Sequence, residues 1–398
     1  MSRNQKILLI ILGLYVIFDF VLGALVGLYL WESSKSASII LSYYITLFSS
    51  IMLVSQLSSK LVAKIGVKKS YILSIALGII QSLVLLSFGK DIQSYIIPFG
   101  VLAGLNIGIQ AFSYTLIVSR ITEGTDPTYF LGLKSSLMNI VSIVSVPVLT
   151  YFIKITGGYS MTYQLGFVVG MAIMYLITRL SIDEKELVST VAKLPTSSLL
   201  SIDEVRYYLL TRLIYGIFNG PVWAILGVVT FLFVGDVSTW GILTTIFTII
   251  NIIGSYYYGK LKNEQMAQLI SVVGTFVFGT LAIILATNWT LVTFLAYQVG
   301  LVLLNSSFSI HYEATIYNMT RNNEDISQNL TRILSLGEFA IGVGRIIPLI
   351  ILVMSSFTFD HPLMLQILFV VISTAPILIL TTLNKIIPHS QRYVTINA

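Results

Sequence analysis

The sequence predicts an all-α membrane protein of twelve transmembrane helices, arranged as two six-helix halves. Three observations support this prediction: an apolar composition, a series of apolar segments of membrane-spanning length, and lysines and arginines concentrated in alternate loops. Of the 398 residues, 56% are hydrophobic and only 10% are charged, whereas soluble domains carry about 25% charged residues. This composition excludes an ordinary water-soluble fold.

Twelve segments meet the length requirement, since a helix needs about 20 apolar residues to cross a hydrocarbon core of ~30 Å. Helices carry these crossings because a helix satisfies its own backbone hydrogen bonds in lipid. The first segment follows the basic residues Arg3 and Lys6, as the apolar region of a signal peptide would. Its apolar run is longer than that of a signal peptide, so we expect it to be a retained transmembrane span. The predicted spans are 6–31, 37–59, 69–89, 93–119, 131–154, 160–180, 206–234, 237–259, 266–287, 289–317, 329–356 and 362–384.

The distribution of lysine and arginine predicts the orientation, because these residues favour cytoplasmic loops. With the N-terminus inside, 19 of the 23 lysines and arginines fall on the inner side. Only Lys35, Lys90 and Lys154 fall outside, and Arg345 lies within a span. A wrong number of spans would scramble this alternation. We therefore expect a multi-pass protein of the cell membrane with both termini in the cytoplasm.

The longest polar stretch, residues 181–205, lies between the sixth and seventh spans. It is expected to be a cytoplasmic linker between an N-terminal half, 1–180, and a C-terminal half, 206–398. Two matches at an offset of 200 residues favour homologous halves. They pair Tyr15, Ile17, Phe18 and Asp19 with Tyr215, Ile217, Phe218 and Asn219, and Lys60-Leu61 with Lys260-Leu261.

Several classes of function are disfavoured by what the sequence lacks. With no cysteine, disulfides, thiolate metal sites and cysteine nucleophiles are excluded. His311, His361 and His389 are widely scattered, so we expect neither a metal nor a cofactor. The formal charge of +6 forms no basic patch, so nucleic acid is not an expected partner. No glycine-rich phosphate-binding loop is present, which disfavours ATP-driven pumping.

The loop between the second and third spans carries a resemblance to a known family. It reads Ser59-Lys60-Leu61-Val62-Ala63-Lys64-Ile65-Gly66-Val67-Lys68-Lys69. It resembles the loop signature of the major facilitator superfamily, Gly-x-Leu-Ala-Asp-Arg-x-Gly-Arg-Lys, and the likeness covers essentially the whole chain. The resemblance implies a facilitator-type fold and a gating loop at Lys64, Gly66 and Lys68. In the family, the aspartate pairs with a helix end of the neighbouring half, a role that Ala63 cannot take. The alternative is that the lysines only determine topology.

Two patterns of the family's proton-coupled drug exporters are incomplete here. The fourth span has Gly104 and Gly108 without the exporters' arginine, and the fifth keeps only Pro147 and small residues. The resemblance therefore supports the facilitator fold and not the drug-antiporter subgroup.

Asp19 is the first candidate for a functional ionisable group. It lies about thirteen residues beyond Lys6, or ~20 Å along a helix, which places it near the midplane. Ionisable groups at that depth are costly and are kept where they face protein or water. In the family, the first span lines the central cavity, which favours a proton or cationic-substrate site. The alternative is a buried aspartate bonded to a neighbouring helix.

The eleventh span carries a second set of charges, Glu338 and Arg345. A spacing of seven residues places them on one helix face. Arg345 needs a counter-ion, for which Asp19 and Glu338 are the candidates, and the pair could be structural or could take part in coupling. In the tenth span, His311 and Glu313 cannot share one helix face, and we expect Glu313 to have a structural or gate-like role.

Neutral polar residues form stripes on spans that line the cavity in the family. Such stripes could hydrogen-bond an uncharged or zwitterionic solute, or could bond between helices. They comprise Asn106, Gln110 and Tyr114 in the fourth span, Asn219 and Trp223 in the seventh, and Asn305 in the tenth.

These features predict a secondary active transporter, not an enzyme, that moves a small-molecule substrate through the lipid bilayer by alternating access. Proton-coupled export through Asp19 is the first expectation, and uptake of a polar nutrient is the alternative. Two other classes stay open: an integral-membrane enzyme, which would need a cluster of His, Asp or Glu at a membrane face, and a transporter-like sensor or lipid-handling protein. We expect a functional monomer.

Overall fold

The computed structural model describes residues 2–121, 127–181, 195–259, 264–305, 325–326, 329–359 and 362–386. Within these ranges the regular structure is helical. A π-helical turn, Phe20–Ala24, joins α1 to α2, and a 3-10 segment, Gly89–Tyr95, joins α4 to α5. The helices are α1 Arg3–Asp19, α2 Leu25–Ser34, α3 Ala37–Ile65, α4 Val67–Phe88, α5 Ile96–Ile121, α6 Pro127–Thr156, α7 Ser160–Thr178, α8 Thr196–Leu200, α9 Asp203–Val234, α10 Val237–Gly259, α11 Glu264–Thr287, α12 Leu291–Asn305, α13 Leu330–Met354, α14 Pro362–Ile372 and α15 Ala375–Ile386.

Ten helical stretches among the described residues are long and apolar enough to cross a bilayer. One of them, Val67–Val118, contains α4 and most of α5. Eleven of the predicted spans coincide with helical stretches whose ends lie within a few residues of the predicted ones. The first of these stretches is interrupted by the π-helical turn, and the last is divided into α14 and α15. The predicted tenth span, 289–317, is described only as far as Asn305, so the number twelve stays a prediction. An all-helical membrane architecture is thus established.

The chain divides into two compact units. The first comprises Met1–Ser189, Trp223–Thr248 and Leu352–Ser356, and the second comprises Thr190–Val222, Ile249–Ile351 and Phe357–Ala398. Residues 182–194 of the predicted linker, 181–205, lie outside the described residues. Its last part forms α8 and the start of α9, and Arg332 of α13 donates a 2.6 Å hydrogen bond to Thr196 of α8 within the second unit.

In the first unit, α5 packs directly onto α3 along a stripe of glycines. Gly100, Gly104 and Gly108 follow one another at four-residue steps and so share one face of α5. A Cβ atom at Gly104 would lie 2.5 Å from the carbonyl oxygen of Leu47 and 2.4 Å from the Cβ of Ser50. Small residues allow helix backbones to approach closely in a membrane. The two glycines compared above with the exporter pattern therefore serve helix packing.

In the second unit, glycines bring α9 and α13 together in the same way. A Cβ atom at Gly216 would lie 2.3 Å from the carbonyl oxygen of Ile341, and one at Gly344 would lie 2.1 Å from that of Leu213. Gly216 and Gly220 form a Gly-x-x-x-Gly pair on α9, a spacing typical of close transmembrane helix crossings. The α9 helix continues without a break through Pro221.

The 200-residue repeat has a counterpart in the local structure of each unit. The rings of Tyr15 and Phe18 lie 6.2 Å apart at 51°, and those of Tyr215 and Phe218 lie 6.4 Å apart at 44°. Phe18 packs against Gly78 of α4, and Phe218 packs edge-on against Phe278 of α11. Gly78 and Phe278 are themselves 200 residues apart in the sequence. The repeated segment therefore packs against equivalent positions in the two units.

Candidate functional site

Asp19 is the last residue of α1, immediately before the π-helical turn. Its side chain keeps an accessible surface, although the surrounding protein desolvates the carboxylate and the residue lies in the middle of a 32-residue membrane-length stretch, Arg3–Ser34. The hydroxyl of Tyr15, one helical turn earlier, donates a hydrogen bond to the Asp19 carboxylate. Single π turns inside α-helices occur frequently at functional sites. The π-helical turn thus lies directly beside Asp19, the carboxylate that the sequence predicted as a functional group.

Buried polar side chains of α3, α4 and α5 lie near this carboxylate. The buried Tyr43 is within electrostatic reach of Asp19, and the fully buried Tyr71 is within reach of Tyr15. Gln110, which is also buried, approaches the hydroxyl of Tyr71. A series of polar groups therefore extends from Asp19 into the interior of the first unit.

Asn106 is buried at the contact between α4 and α5. Its Nδ2 atom would lie 2.9 Å from a Cβ atom placed on Gly78, so the absence of a side chain at Gly78 makes room for the amide. Its Oδ1 atom is buried and has no hydrogen-bond partner among the described residues. Buried polar atoms nearly always have a partner. This oxygen is consequently an available acceptor for a water molecule or a solute.

Tyr114, the third member of the predicted stripe on α5, is half-buried. The ammonium of Lys134 on α6 lies 4.9 Å from the centre of its ring, which is a cation–π distance. The structure thus connects this end of the stripe to α6 rather than leaving it facing solvent.

The second unit holds a cluster of charges between α9 and α13. Arg212 forms an ion pair with Glu338, and its Nε atom donates a 3.3 Å hydrogen bond to the carbonyl oxygen of Gly337. The Arg212 side chain is 13% exposed and that of Glu338 is 38% exposed. Arg345 lies within electrostatic reach of both Glu338 and Arg212, and of Tyr215. Of the two counter-ions considered for Arg345, Glu338 is thus in a position to serve.

Arg212 was not predicted as a site residue, because its place near the start of the seventh span puts it among the charges of the inner side. The sequence did contain a signal that Arg212 belongs with the polar residues of this helix. Arg212 lies seven residues before Asn219 and eleven before Trp223. These spacings place Arg212 on the polar stripe of the same helix face.

The other predicted polar residues lie in different surroundings. Asn219 is buried, and its Oδ1 atom has no hydrogen-bond partner within the described part of the chain. Trp223, in the first unit, is 48% exposed and its ring lies 6.2 Å from that of Phe48. Asn305 is exposed at the end of α12. His311 and Glu313 fall outside the described residues.

The predicted gating loop is a tight connection between α3 and α4. Gly66 joins the two helices with φ +88°, a backbone conformation that favours glycine. Lys64 is exposed in the last turn of α3. The ammonium of Lys68 donates hydrogen bonds of 2.9 Å and 2.6 Å to the carbonyl oxygens of Thr178 and Leu180, at the C-terminal end of α7. A cation there satisfies carbonyls that a helix end leaves free. Lys68 therefore has a structural role within the first unit, beyond any effect on topology.

A different kind of site, a metal centre, has no candidate in the described residues. Nowhere in them do three His, Asp or Glu side chains gather in a way that could hold a metal ion.

No family model matches the sequence, and no curated protein matches it. The three-dimensional structure is similar to solved structures of transporters. A crystal structure of the nucleoside transporter NupG matches over 97% of this chain and 100% of that chain, with a TM-score of 0.71 and 10% sequence identity. The crystal structure of the D-xylose-proton symporter matches over 98% of this chain and 99% of that chain, with a TM-score of 0.69 and 11% identity.

The E. coli fucose:proton symporter FucP matches over 97% of this chain and 100% of that chain, with a TM-score of 0.62 and 12% identity. Sequence identities this low establish the fold and leave the substrate undetermined. Because the match extends over nearly the full length of each structure, the similarity is not confined to one bundle of helices. The chain has the same fold as these solved transporter structures, which agrees with the facilitator-type fold that the resemblance implied.

Proposed function

We propose that this protein is a proton-coupled secondary transporter of a small polar organic solute. In this proposal the chain crosses the cell membrane twelve times, as two six-helix halves with both termini in the cytoplasm, and works by alternating access. The charge asymmetry of the loops supports the orientation. The repeated Tyr-x-x-Phe packing in α1 and α9 supports two related halves.

Asp19 is the observation that carries the proposal. An exposed carboxylate in the middle of a membrane-length helix needs water or a polar partner, because a charge is costly in lipid. Its hydrogen bond from Tyr15 fixes the carboxylate at the π-helical turn, while its exposed surface leaves it open to a proton. A carboxylate that binds and releases a proton can couple proton movement to that of a solute.

The polar nature of the solute is supported by two buried amides. The Oδ1 atoms of Asn106 and Asn219 have no hydrogen-bond partner among the described residues. A solute that carries hydroxyl or amine donors would satisfy such acceptors, whereas an apolar compound would leave them unpaired at a cost of about 1–3 kcal/mol each.

Uptake by symport is favoured over export. Two of the similar structures are described as proton symporters of the sugars xylose and fucose, and a third as a nucleoside transporter. The absence of the exporters' arginine from the fourth span agrees with this preference. A sensor or an enzyme on this fold would not move solute at all.

The test is transport by the purified protein in liposomes that contain a pH-sensitive dye. Sugars, nucleosides and other polar solutes are offered with and without an inward proton gradient. We expect saturable accumulation of one class, accompanied by acidification of the interior. Asp19→Asn should lose gradient-driven accumulation by about tenfold or more while it retains solute exchange, because exchange does not require net proton release.

The matched control is Asp91→Asn, which neutralises an exposed carboxylate in the 3-10 segment between α4 and α5. This variant should transport like the wild type. Unchanged accumulation in a folded Asp19→Asn protein would remove the proton role from this residue. A folded wild-type protein that moves none of the panel would refute transport and favour a sensor.

A further inference from the structure

A buried glutamine of α4 contacts the π-helical turn that follows Asp19. The Nε2 atom of Gln81 donates a 3.1 Å hydrogen bond to the carbonyl oxygen of Leu22, 59 residues earlier in the chain. Gln81 is 1% exposed, and its Oε1 atom is buried with no hydrogen-bond partner among the described residues. Burying an amide is unfavourable unless it is hydrogen-bonded. The bond to Leu22 is therefore what a glutamine provides here and an apolar side chain of similar size would not.

The same turn carries the Asp19 carboxylate. The π-helical turn begins at Phe20, and Asp19 is the residue directly before it. A Cβ atom placed on Gly23 would lie 3.9 Å from the Oδ1 atom of Asp19, so the carboxylate lies alongside the turn. Leu22, which accepts the bond from Gln81, directly precedes Gly23. A movement of this turn would therefore move the carboxylate relative to α4.

Close packing brings α4 and α7 up to the turn. A Cβ atom on Gly166 of α7 would lie 3.0 Å from the Cγ1 atom of Val21 and 3.1 Å from the Oγ atom of Ser82 on α4. A Cβ atom on Gly78 of α4 would lie 2.6 Å from the ring of Phe18. Small residues allow such close approach between helices in a membrane. The turn is thus packed against two helices, and the buried glutamine adds a hydrogen bond to that contact.

A π-helical turn holds one residue more than the regular helix on either side of it. Successive residues of an α-helix are about 100° apart around the axis, because a turn has about 3.6 residues. Conversion of the turn to regular α-helix would therefore rotate α1 relative to α2 by up to about 100°. Asp19 lies at the junction, so its carboxylate would then point in a different direction.

We propose that Gln81 is a positioning residue for Asp19, on which it acts by holding the turn between α1 and α2 in its π-helical form. The proposal rests on the proposed function, because it assumes that Asp19 couples solute transport to protons. Gln81 binds neither the proton nor the solute. Its loss should therefore weaken the coupling of solute movement to proton movement more than it weakens solute movement itself.

The first test compares Gln81→Met with the wild type in the same liposome assay as Asp19→Asn. Methionine is unbranched and similar in length, but it has no donor for the Leu22 carbonyl. We expect gradient-driven accumulation to fall about fivefold, as for the loss of one hydrogen bond, while solute exchange without a gradient falls less than about twofold. Gln164→Met, the same change at an exposed position on α7, is the matched control and should leave both activities unchanged.

The second test measures the turn without any transport. Hydrogen exchange of the backbone amides of residues 19–25 is followed by mass spectrometry on the protein in detergent. Gln81→Met should speed up this exchange about fivefold, and Gln164→Met should not. Gln81→Asn, which keeps the amide but shortens the side chain by about 1.5 Å, is the second variant if methionine prevents folding. It should change both measurements in the same direction as methionine.

A glutamine that only stabilises helix packing gives a different pattern. Accumulation and exchange of solute would then fall by the same factor, and this result overturns the proposal. Unchanged hydrogen exchange at the turn in a folded Gln81→Met protein also overturns it. A wild type without proton-driven accumulation refutes the proposed function, whereas hydrogen exchange at the turn still decides whether Gln81 holds it, so the two failures are distinguishable.

Discussion

Replacing Gly344 by alanine tests the glycine contact between α9 and α13. The added Cβ atom would lie 2.1 Å from the carbonyl oxygen of Leu213 and 3.0 Å from the backbone nitrogen of Ile217. Both neighbours are backbone atoms, so no side-chain rotation can relieve the clash. Since an ordinary contact needs at least about 3.4 Å, the two helices must separate locally by roughly 1 Å.

The expected cost follows from two opposing effects. Overpacking of a well-packed contact costs about 1–3 kcal/mol, while alanine is favoured over glycine in a helix by up to about 1 kcal/mol. The net destabilisation should therefore be about 1–2 kcal/mol, or roughly a 1–3 °C decrease in apparent unfolding temperature for a chain of this length. Separation of the helices should also loosen the Arg212–Glu338 ion pair, because its two partners lie on opposite sides of the contact.

The matched control is Gly279→Ala on α11, where an added Cβ atom meets no atom within 4 Å. It has the same propensity effect without a clash, so it should leave stability unchanged or raise it slightly. Both variants are compared with the wild type in detergent by thermal unfolding followed by size-exclusion chromatography. The reasoning is refuted if Gly344→Ala is as stable as the wild type, or if both substitutions destabilise the protein equally.

Three further predictions concern the connections of the first unit, each measured by thermal unfolding. Lys68→Met should lower the unfolding temperature because it frees the carbonyls at the end of α7, whereas Lys69→Met, at an exposed position, should not. Gly66→Ala should destabilise the α3–α4 connection by about 1 kcal/mol, since φ is +88° there; equal stability would exclude a strained conformation. The hydrogen bond from the Thr239 backbone, with help from Lys154, lowers the pKa of Asp236 at the start of α10. A carboxylate whose pKa is lower in the folded state stabilises the protein above its unfolded pKa of about 4 and loses this effect as the pH falls further. Asp236→Ala should therefore lower stability at pH 7, with a difference from the wild type that shrinks below about pH 4; a difference independent of pH would contradict this assignment.

The sequence by itself determined the helical membrane architecture. Apolar segment length and the scarcity of charge within the segments are properties of each helix alone, because a membrane-spanning helix satisfies its own backbone wherever its neighbours lie. For the same reason the sequence placed Asp19 within the first span and arranged Asn106, Gln110 and Tyr114 along one helix face. These conclusions required only position along a helix and helical periodicity.

The tertiary structure decided which groups meet. Arg212 and Glu338 are 126 residues apart, and Lys68 bonds to a carbonyl 112 residues away. Counting charges in loops assigned Arg212 to topology, and the family resemblance placed Lys68 in a gating loop, since neither the count nor the motif shows which helix packs against which. The roles of Gly216 and Gly344 depend likewise on one particular crossing. Contacts between distant segments arise from packing of whole helix faces, and local periodicity does not specify which faces pair.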